Sequence, residues 1–428
     1  MTSQMIICML TFLLMIISFA LNKFPLGVTG GAALVILLFT GCIEPDIALT
    51  NLGSGNVIII VGMFVIGAGL KKLSLIDALT SFIRKVTRGS FIWSYRGLII
   101  LAFLLTSFIT SPVVCYAISF PLLDSVCDEY GVSRSKYQFP LAAICISCCG
   151  ILPFGFAISQ AAVFNGFMES YGFTQGFTAM DLTTGRWPMI ILLILWAFFI
   201  ADKFTPEQPV VPILDSGKNN PNSKKLTKIQ DLLGGIIFAA TILGLVFNAQ
   251  IGIDAWVIVF AGCILNVICG VLTGKEAIDS MATDLGIMFI GANSMAQALV
   301  STGSAEFIGN KVAQLIGSNP SNLMLCIIFF LVPFILTQFM QNQGVMNIFA
   351  PIALIICSAI GADPRGCLVL VCAGSLTAFM TPSATPAIPM AMGAGGYDVK
   401  CLVKMSWLIS IVLTIAYIAW VSITMPAF

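Results

Sequence analysis

The chain has 428 residues, of which 58% are hydrophobic and 9% are charged, with a formal net charge of +1. Soluble domains carry roughly 25% charged residues, so this composition excludes a soluble globular protein. It indicates a polytopic membrane protein surrounded by a lipid bilayer, with no nucleic-acid partner. Histidine is absent from the chain, which removes the usual near-neutral proton relay and the commonest metal ligand.

The first apolar segments predict ordinary membrane spans. Three of them have close to the ~20 residues that cross a bilayer, at residues 5–21, 24–42 and 56–70. Residues 71–96 follow, with apolar side chains on one helical face among lysines and arginines. This pattern predicts an amphipathic helix at the membrane interface.

Two irregular elements complete the first half. Residues 98–126 are apolar but broken at Ser111-Pro112, and the first leg, 98–109, reaches only about 18 Å at about 1.5 Å per residue. A re-entrant hairpin is predicted there. Residues 139–168 are too long for one straight span and are interrupted from 150 to 155, which predicts a discontinuous helix with an unwound centre. A last span follows at residues 187–201.

The second half repeats this order after a polar segment, 202–230, that predicts a cytoplasmic linker. The linker separates the two halves, residues 1–201 and 231–428. Spans are expected at residues 232–247, 255–272, 285–299 and 402–424, with a partly polar helix at 302–316. The second hairpin is predicted at residues 323–360, and the second broken helix at residues 367–392 with its interruption at 380–386.

The matching order indicates a duplication. Pro121 and Pro351 are 230 residues apart, as are Ser111 and Gln341. The predicted fold is therefore an all-α polytopic membrane protein of two inverted repeats, each with five transmembrane spans, one of them broken, and a re-entrant helical hairpin. Because each half crosses the membrane five times, an odd number, the second copy starts on the opposite side and has the inverted orientation. Following the loops then places 17 of the 20 basic residues on one side, which the positive-inside rule makes cytoplasmic. Both termini are expected outside the cell membrane.

The broken elements indicate a transport function. Inverted repeats with broken helices are typical of secondary transporters, which bind solute and coupling ions near the midplane. Helix N-termini favour an anion, whereas carbonyls at C-terminal ends suit Na⁺. No charged residue falls at the predicted tips, where a formal charge is costly, so we expect neutral groups to bind a small organic anion. Considered singly, Ser107, Thr337 or Ser383 has an alternative, purely structural role: its hydroxyl can donate a hydrogen bond to the backbone carbonyl four residues earlier in the same helix.

The tips and interruptions resemble those of the divalent anion:sodium symporter family of the ion transporter superfamily. That family carries Ser-Asn-Thr at each hairpin tip, ten residues before a proline, and Gly-Thr-Pro or Ala-Thr-Pro in each broken helix. The second half has Gln341-Asn342-Gln343 ten residues before Pro351, and retains Ala384-Thr385-Pro386. The first half has Ser111-Pro112-Val113 ten residues before Pro121, and Gly155-Phe156-Ala157.

The resemblance implies a set of binding residues. A first Na⁺ site would use Ser107, Ser111 and the backbone of Gly155. A second Na⁺ site would use Thr337, Asn342 and the backbone of Ala384. The anion would contact Ser111, Asn342, Gln343, Thr385 and Pro386, with Phe154 and Phe156 at a less polar end. The resemblance also suggests a homodimer.

The first half departs from the family pattern in its side chains. The family's asparagine is Pro112 here, and its two threonines are Val113 and Phe156. We expect the first Na⁺ site to be weakened or absent and the second half to anchor the anion. An anion with one strongly polar end is then favoured over a symmetric dicarboxylate.

The leading hypothesis is Na⁺-coupled symport of a carboxylate or dicarboxylate by alternating access. Alternatives from the same superfamily are a cation-independent exchanger, an H⁺-coupled anion transporter, a cation/proton antiporter and an oxyanion exporter. No acidic residue falls at the broken helices, which disfavours the antiporter. A channel is disfavoured because hairpins entering from opposite sides suit the gating of one side at a time. Enzymatic activity is not expected, because there is neither histidine nor a paired intramembrane aspartate.

Overall fold

The computed structural model describes residues 2–21, 23–74, 89–109, 111–174, 176–213, 226–304, 307 and 320–428. Over these residues the regular secondary structure is helical, without a strand, which confirms the predicted all-α class. Most of the predicted amphipathic helix (71–96) and of the polar helix (302–316) lies outside the described residues.

The helices of the first half follow the predicted order. They are α1 (Ser3–Leu21), α2 (Leu26–Phe39), α3 (Pro45–Leu52), α4 (Gly55–Leu70), α5 (Phe91–Phe108), α6 (Pro112–Glu129), α7 (Gln138–Ser147), α8 (Phe156–Ser170), α9 (Ala179–Arg186) and α10 (Pro188–Phe199). We call α5 and α6 the first hairpin, and α7 and α8 the first broken helix.

The helices of the second half recur in a similar order. They are α11 (Lys228–Val246), α12 (Asn248–Ile251), α13 (Ala255–Ile268), α14 (Gly274–Asp279), α15 (Thr283–Ser301), α16 (Asn322–Thr337), α17 (Asn342–Ile360), α18 (Arg365–Leu376), α19 (Ala387–Gly395) and α20 (Val399–Thr424). We call α16 and α17 the second hairpin, and α18 and α19 the second broken helix.

The first leg of the first hairpin is longer than its sequence suggested. Helix α5 has 18 residues, or about 27 Å at about 1.5 Å per residue, so the predicted twelve-residue leg is wrong. The helix continues through Arg96, whose guanidinium carbon lies 5.3 Å from the ring centroid of Phe198 and 4.8 Å from that of Phe199. Aromatic faces attract a cation, so Arg96 can lie within the apolar helix, which begins before it at Phe91.

Two other boundaries differ from the prediction. The last helix of the first half is preceded by α9, and a 50° bend separates α9 from α10. Helix α11 begins at Lys228, inside the predicted linker, because Thr227 and Gln230 form a capping box that satisfies free N–H groups of the first turn. The described start of the linker is docked on the second half, since Val210 N–H donates to Gly396 O at 2.9 Å.

Helices from the two halves pack in matching pairs. Helix α2 packs on α15, and α4 packs on α13; each pair takes one helix from each half. Glycines allow the closest of these contacts, since a Cβ on Gly291 would lie 2.1 Å from Gly30 O. Small residues at a contact let helix backbones approach each other in a membrane.

The centre of the structure is formed by the first segments of the broken helices. Every residue of α7 is buried, as is every residue of α18 after Arg365. The hairpins pack against them, α5 on α7 and α16 on α18. Both hairpin tips therefore lie beside an interrupted helix.

Candidate functional site

The tip of the second hairpin brings three oxygen atoms together. Thr337 Oγ1, in the last residue of α16, lies 2.7 Å from Ser375 O and 3.0 Å from Asn342 Oδ1. Thr337 is fully buried. A hydroxyl has one hydrogen, so it cannot donate to both acceptors at once. The three oxygen atoms share one hydrogen, so oxygen lone pairs remain available to bind a cation.

The interruption of the second broken helix supplies the other predicted residues of this half. Ala384 is buried, and its N–H donates to Thr381 O at 3.2 Å. Thr385 is buried as well, and Pro386 precedes the first residue of α19. These residues therefore lie at a helix N-terminus, whose partial positive charge favours an anion.

Gln338 was missed as a site residue, and its side chain joins the hairpin to the interruption. Its Nε2 donates to Phe334 O at 2.9 Å and to Thr377 O at 2.8 Å, and its Oε1 accepts from Met380 N at 3.0 Å. Its backbone carbonyl accepts from the hydroxyls of Thr381 and Ser383. The only sequence signal was its position next to Thr337, because the resemblance gives position 338 no role.

The amides at the second tip have different environments. Gln341 Nε2 donates to Asn293 Oδ1, and Asn293 Nδ2 donates to Asn51 Oδ1 at 2.7 Å. This chain of amides ties the tip to α15 and α3. Gln343 is exposed, and its Nε2 donates to Asn347 Oδ1 at 3.2 Å, one turn along α17. The structure thus brings Asn342 to Thr337, whereas the hydrogen bond of Gln343 stays within its own helix.

The first hairpin contacts its broken helix through backbone atoms and through aromatic rings. Gly155 has φ +46°, and a Cβ there would lie 2.7 Å from Phe108 O and 3.3 Å from Ser107 O. The structure therefore brings Gly155 to the end of α5. Ser107 Oγ, however, donates to Phe103 O at 3.0 Å in its own helix. The rings of Phe108 and Phe154 are stacked with centroids 5.6 Å apart.

The remaining predicted residues of the first half begin helices. Ser111 is half-buried at the N-cap of α6, and its side chain accepts no capping hydrogen bond from the described residues. Phe156 is half-buried and is the first residue of α8. Both lie at positive helix ends, but they offer one hydroxyl group between them.

The two interruptions are connected at the centre. Ser147 Oγ donates to Leu376 O at 3.3 Å, which links the end of α7 to the end of α18. Arg186 is fully buried beside the first interruption and donates to Cys149 O at 3.1 Å. Neither Ser147 nor Arg186 was predicted as a site residue, because their positions depend on packing between distant segments.

Apolar helices with interrupted segments are typical of multi-pass membrane transporters. The chain belongs to the family described as the sodium:sulfate symporter transmembrane region, whose family model matches residues 1–426. The resemblance found in the tip and turn motifs is thereby confirmed. The family is one of transporters and not of enzymes.

Individual relatives are more distant. The chain is 26% identical to solute carrier family 13 member 2 of Rattus norvegicus over 144 residues, 33% of this chain and 24% of that protein. It is 23% identical to an uncharacterized transporter of Synechocystis sp. over 192 residues, 45% of this chain and 30% of that protein. The matched stretch thus spans less than a third of the length of either relative.

Two solved structures are similar over most of their length. The first is Neisseria gonorrhoeae MtrF, described as illuminating a class of antimetabolite efflux pumps, with a TM-score of 0.45, 14% identity, and coverage of 99% of this chain and 95% of that chain. The second is the Alcanivorax borkumensis YdaH transporter, with a TM-score of 0.41, 13% identity, and coverage of 88% and 86%.

Proposed function

We propose that the protein is a secondary active transporter that uses a Na⁺ gradient to move a small organic anion, a carboxylate or dicarboxylate. The observation that carries the proposal is the oxygen cluster of Thr337, Asn342 and Ser375. Coupling ions in broken-helix transporters are held by unwound carbonyls and helix C-terminal ends. All three oxygens would be ligands of a Na⁺ ion bound there. The Thr337 hydroxyl would then point its hydrogen toward another acceptor. The backbone of Ala384 would complete this second Na⁺ site.

The anion is assigned to the helix N-termini around the same tip. Asn342 begins α17, whose first-turn N–H groups face no helical partner, and Thr385 offers a neutral hydroxyl before α19, so the anion can be bound without a charged side chain. Gln343 and Ser111 are further candidates for this contact. In the first half, Pro112 lacks an N–H group and Phe156 lacks a hydroxyl. An anion with one strongly polar end fits this asymmetry, with Phe154 and Phe156 against its less polar part.

Alternating access follows from the architecture that we propose. The halves, 1–201 and 231–428, are two inverted repeats whose hairpins enter the membrane from opposite sides, joined by a cytoplasmic linker and with both termini outside. The recurrence of helix order and the matching pairs α2–α15 and α4–α13 support this arrangement. One part, containing the hairpins and broken helices, would carry the site across the membrane as an elevator within a homodimer.

Uptake into proteoliposomes tests the proposal. Radiolabelled mono- and dicarboxylates are offered with an inward Na⁺ gradient, with equal Na⁺ on both sides, and with a proton gradient in choline. Sulfate is included because the family description names it. Accumulation of a carboxylate only under the Na⁺ gradient supports symport, and it should be lost in Asn342→Ala. Counterflow that is independent of cations would instead identify an exchanger, and uptake driven by protons alone an H⁺-coupled transporter.

A further inference from the structure

The most unusual charge in the structure is that of Arg186. Its side chain is fully buried, at 0% exposure, and among the described residues no carboxylate forms an ion pair with it. Burying an unpaired charge is costly unless other groups replace its water. Something in the fold must therefore stabilise the guanidinium.

Backbone carbonyls and the Tyr417 hydroxyl take this role, while the buried Nε–H has no hydrogen-bond partner among the described residues. Arg186 Nη2 donates to Ser147 O at 3.0 Å, and Nη1 donates to Cys149 O at 3.1 Å and Gly150 O at 3.2 Å. Ser147 is the last residue of α7, so these oxygens lie at the negative end of the helix dipole. A neighbouring carbonyl, Cys148 O, accepts from Ile151 N at 3.3 Å. The four successive carbonyls from Ser147 to Gly150 therefore all accept hydrogen bonds from donors of the chain itself.

The packing of α9 fixes the guanidinium in this position. A Cβ on Gly185 would lie 2.5 Å from Val369 Cγ1, so only glycine lets α9 approach α18 this closely. The next residue, Arg186, then reaches between the two broken helices, and its Nη1 lies 3.7 Å from Cys372 Sγ. The charge is held by both halves of the molecule.

The second broken helix has the same kind of carbonyl end, and within the described part of the chain its donors are uncharged. Ser375 O faces the Thr337 hydroxyl, Leu376 O faces the Ser147 hydroxyl, and Thr377 O faces the Gln338 amide. A hydroxyl can turn and become a cation ligand, because it is both donor and acceptor. A guanidinium cannot, because it only donates.

We propose that Arg186 is a resident cation. Its guanidinium permanently neutralises the carbonyl end of the first broken helix, in the half whose Na⁺ ligands depart from the family motif, so that one Na⁺, held at the second break, drives each anion. This inference rests on the Na⁺ coupling proposed above. In the first half, the fixed charge of Arg186 takes the place of a coupling ion, because the departures from the family motif weaken the Na⁺ site there.

Two measurements test the proposal. In the wild type, reversal potentials of anion uptake in proteoliposomes give the number of Na⁺ ions per anion, and we expect one. In detergent, thermal unfolding of the wild type, Arg186→Gln and Arg186→Lys is followed in choline chloride with added Na⁺, millimolar guanidinium, or urea. Urea is the matched control, because it has a similar planar shape and similar donors but no charge.

We expect Arg186→Gln to unfold at a lower temperature than the wild type in choline and to be restored by guanidinium but not by urea. It should also gain a second Na⁺-dependent rise in unfolding temperature. Arg186→Lys, which keeps the charge, should retain the wild-type Na⁺ stoichiometry. Equal restoration by urea and guanidinium, or by neither, would show a merely structural hydrogen-bonding role and overturn the proposal.

The wild-type stoichiometry keeps the proposal open to refutation even if Arg186→Gln does not fold, and Arg186→Lys then supplies the comparison of charge. Two or more Na⁺ ions per anion would overturn the resident cation. If the wild type shows no Na⁺-driven uptake at all, the proposed symport fails instead. Selective restoration of Arg186→Gln by guanidinium would then still support a resident cation, in a transporter with a different driving force.

Discussion

The two hairpins meet their broken helices in chemically different ways. In the first half, the ring of Phe108 stacks on that of Phe154, with both side chains partly exposed, at 63% and 46%. The residue 230 positions later is Gln338, which is 4% exposed and whose amide bonds Thr377 O and Met380 N in the second interruption. The same junction is therefore aromatic in one half and a polar clamp in the other.

The residues one position earlier show the same contrast. Ser107 donates within its own helix, to Phe103 O, whereas Thr337 reaches across to Ser375 O in the broken helix. A hydroxyl that already makes a hydrogen bond within its own helix is less available as a ligand of an ion. The difference teaches that similar backbone frames can carry different side-chain chemistry: the second half holds the oxygen cluster that we propose as a Na⁺ site, and the first half has an aromatic junction in the corresponding place.

Thr337→Val tests the polar half and should have the largest effect. It keeps the shape of the side chain but removes the hydroxyl that lies between Asn342 and Ser375. Interactions of a polar group with a charge contribute about 1.5–3 kcal/mol, so the apparent Na⁺ affinity of uptake should fall roughly 10- to 100-fold. The measurement is anion uptake as a function of Na⁺ concentration. Thr337→Ser restores the hydroxyl and should stay near wild type; unchanged affinity in the valine variant would remove Thr337 from the Na⁺ site.

Gln338→Met tests the clamp. Methionine has a similar length but cannot replace the hydrogen bonds to Phe334 O, Thr377 O and Met380 N. At about 1 kcal/mol for each, we expect a loss of about 3 kcal/mol and a lower unfolding temperature in detergent. Phe108→Met is the matched control at the equivalent junction, where it removes no side-chain hydrogen bond. Equal loss of stability in both variants would contradict the contrast.

Sequence reasoning identified residues whose chemistry is local. Thr337 and Asn342 were predicted as Na⁺ ligands from the resemblance of the tip motif, and the structure places their side-chain oxygens 3.0 Å apart. Gln338 and Arg186 were missed because their partners lie far along the chain: Thr377 is 39 positions from Gln338, and Ser147 is 39 positions from Arg186. The length of α5 was underestimated because the rings that accept Arg96 belong to α10.

Gly155→Ala tests the close approach in the first half. The methyl group would lie 2.7 Å from Phe108 O, and the residue has a positive φ, so strain is expected from both crowding and backbone. Overpacking costs about 1–3 kcal/mol, which should lower the unfolding temperature. Gly166→Ala on the same helix is the control, because a Cβ there meets nothing within 4 Å. A stable Gly155→Ala protein would show that the first junction is looser than its geometry indicates.

Ser107→Ala should have the smallest effect and is the sharpest test of the contrast between the halves. The variant removes a hydroxyl whose hydrogen bond is to Phe103 O of the same helix, and alanine has a higher helix propensity, by about 0.5 kcal/mol. We expect less than about a twofold change in Na⁺ affinity, measured beside Thr337→Ala in the same assay. A loss of Na⁺ dependence equal to that of Thr337→Ala would mean that the first half binds an exchangeable cation through Ser107. The fixed charge of Arg186 would then be an addition to that ion and not its replacement.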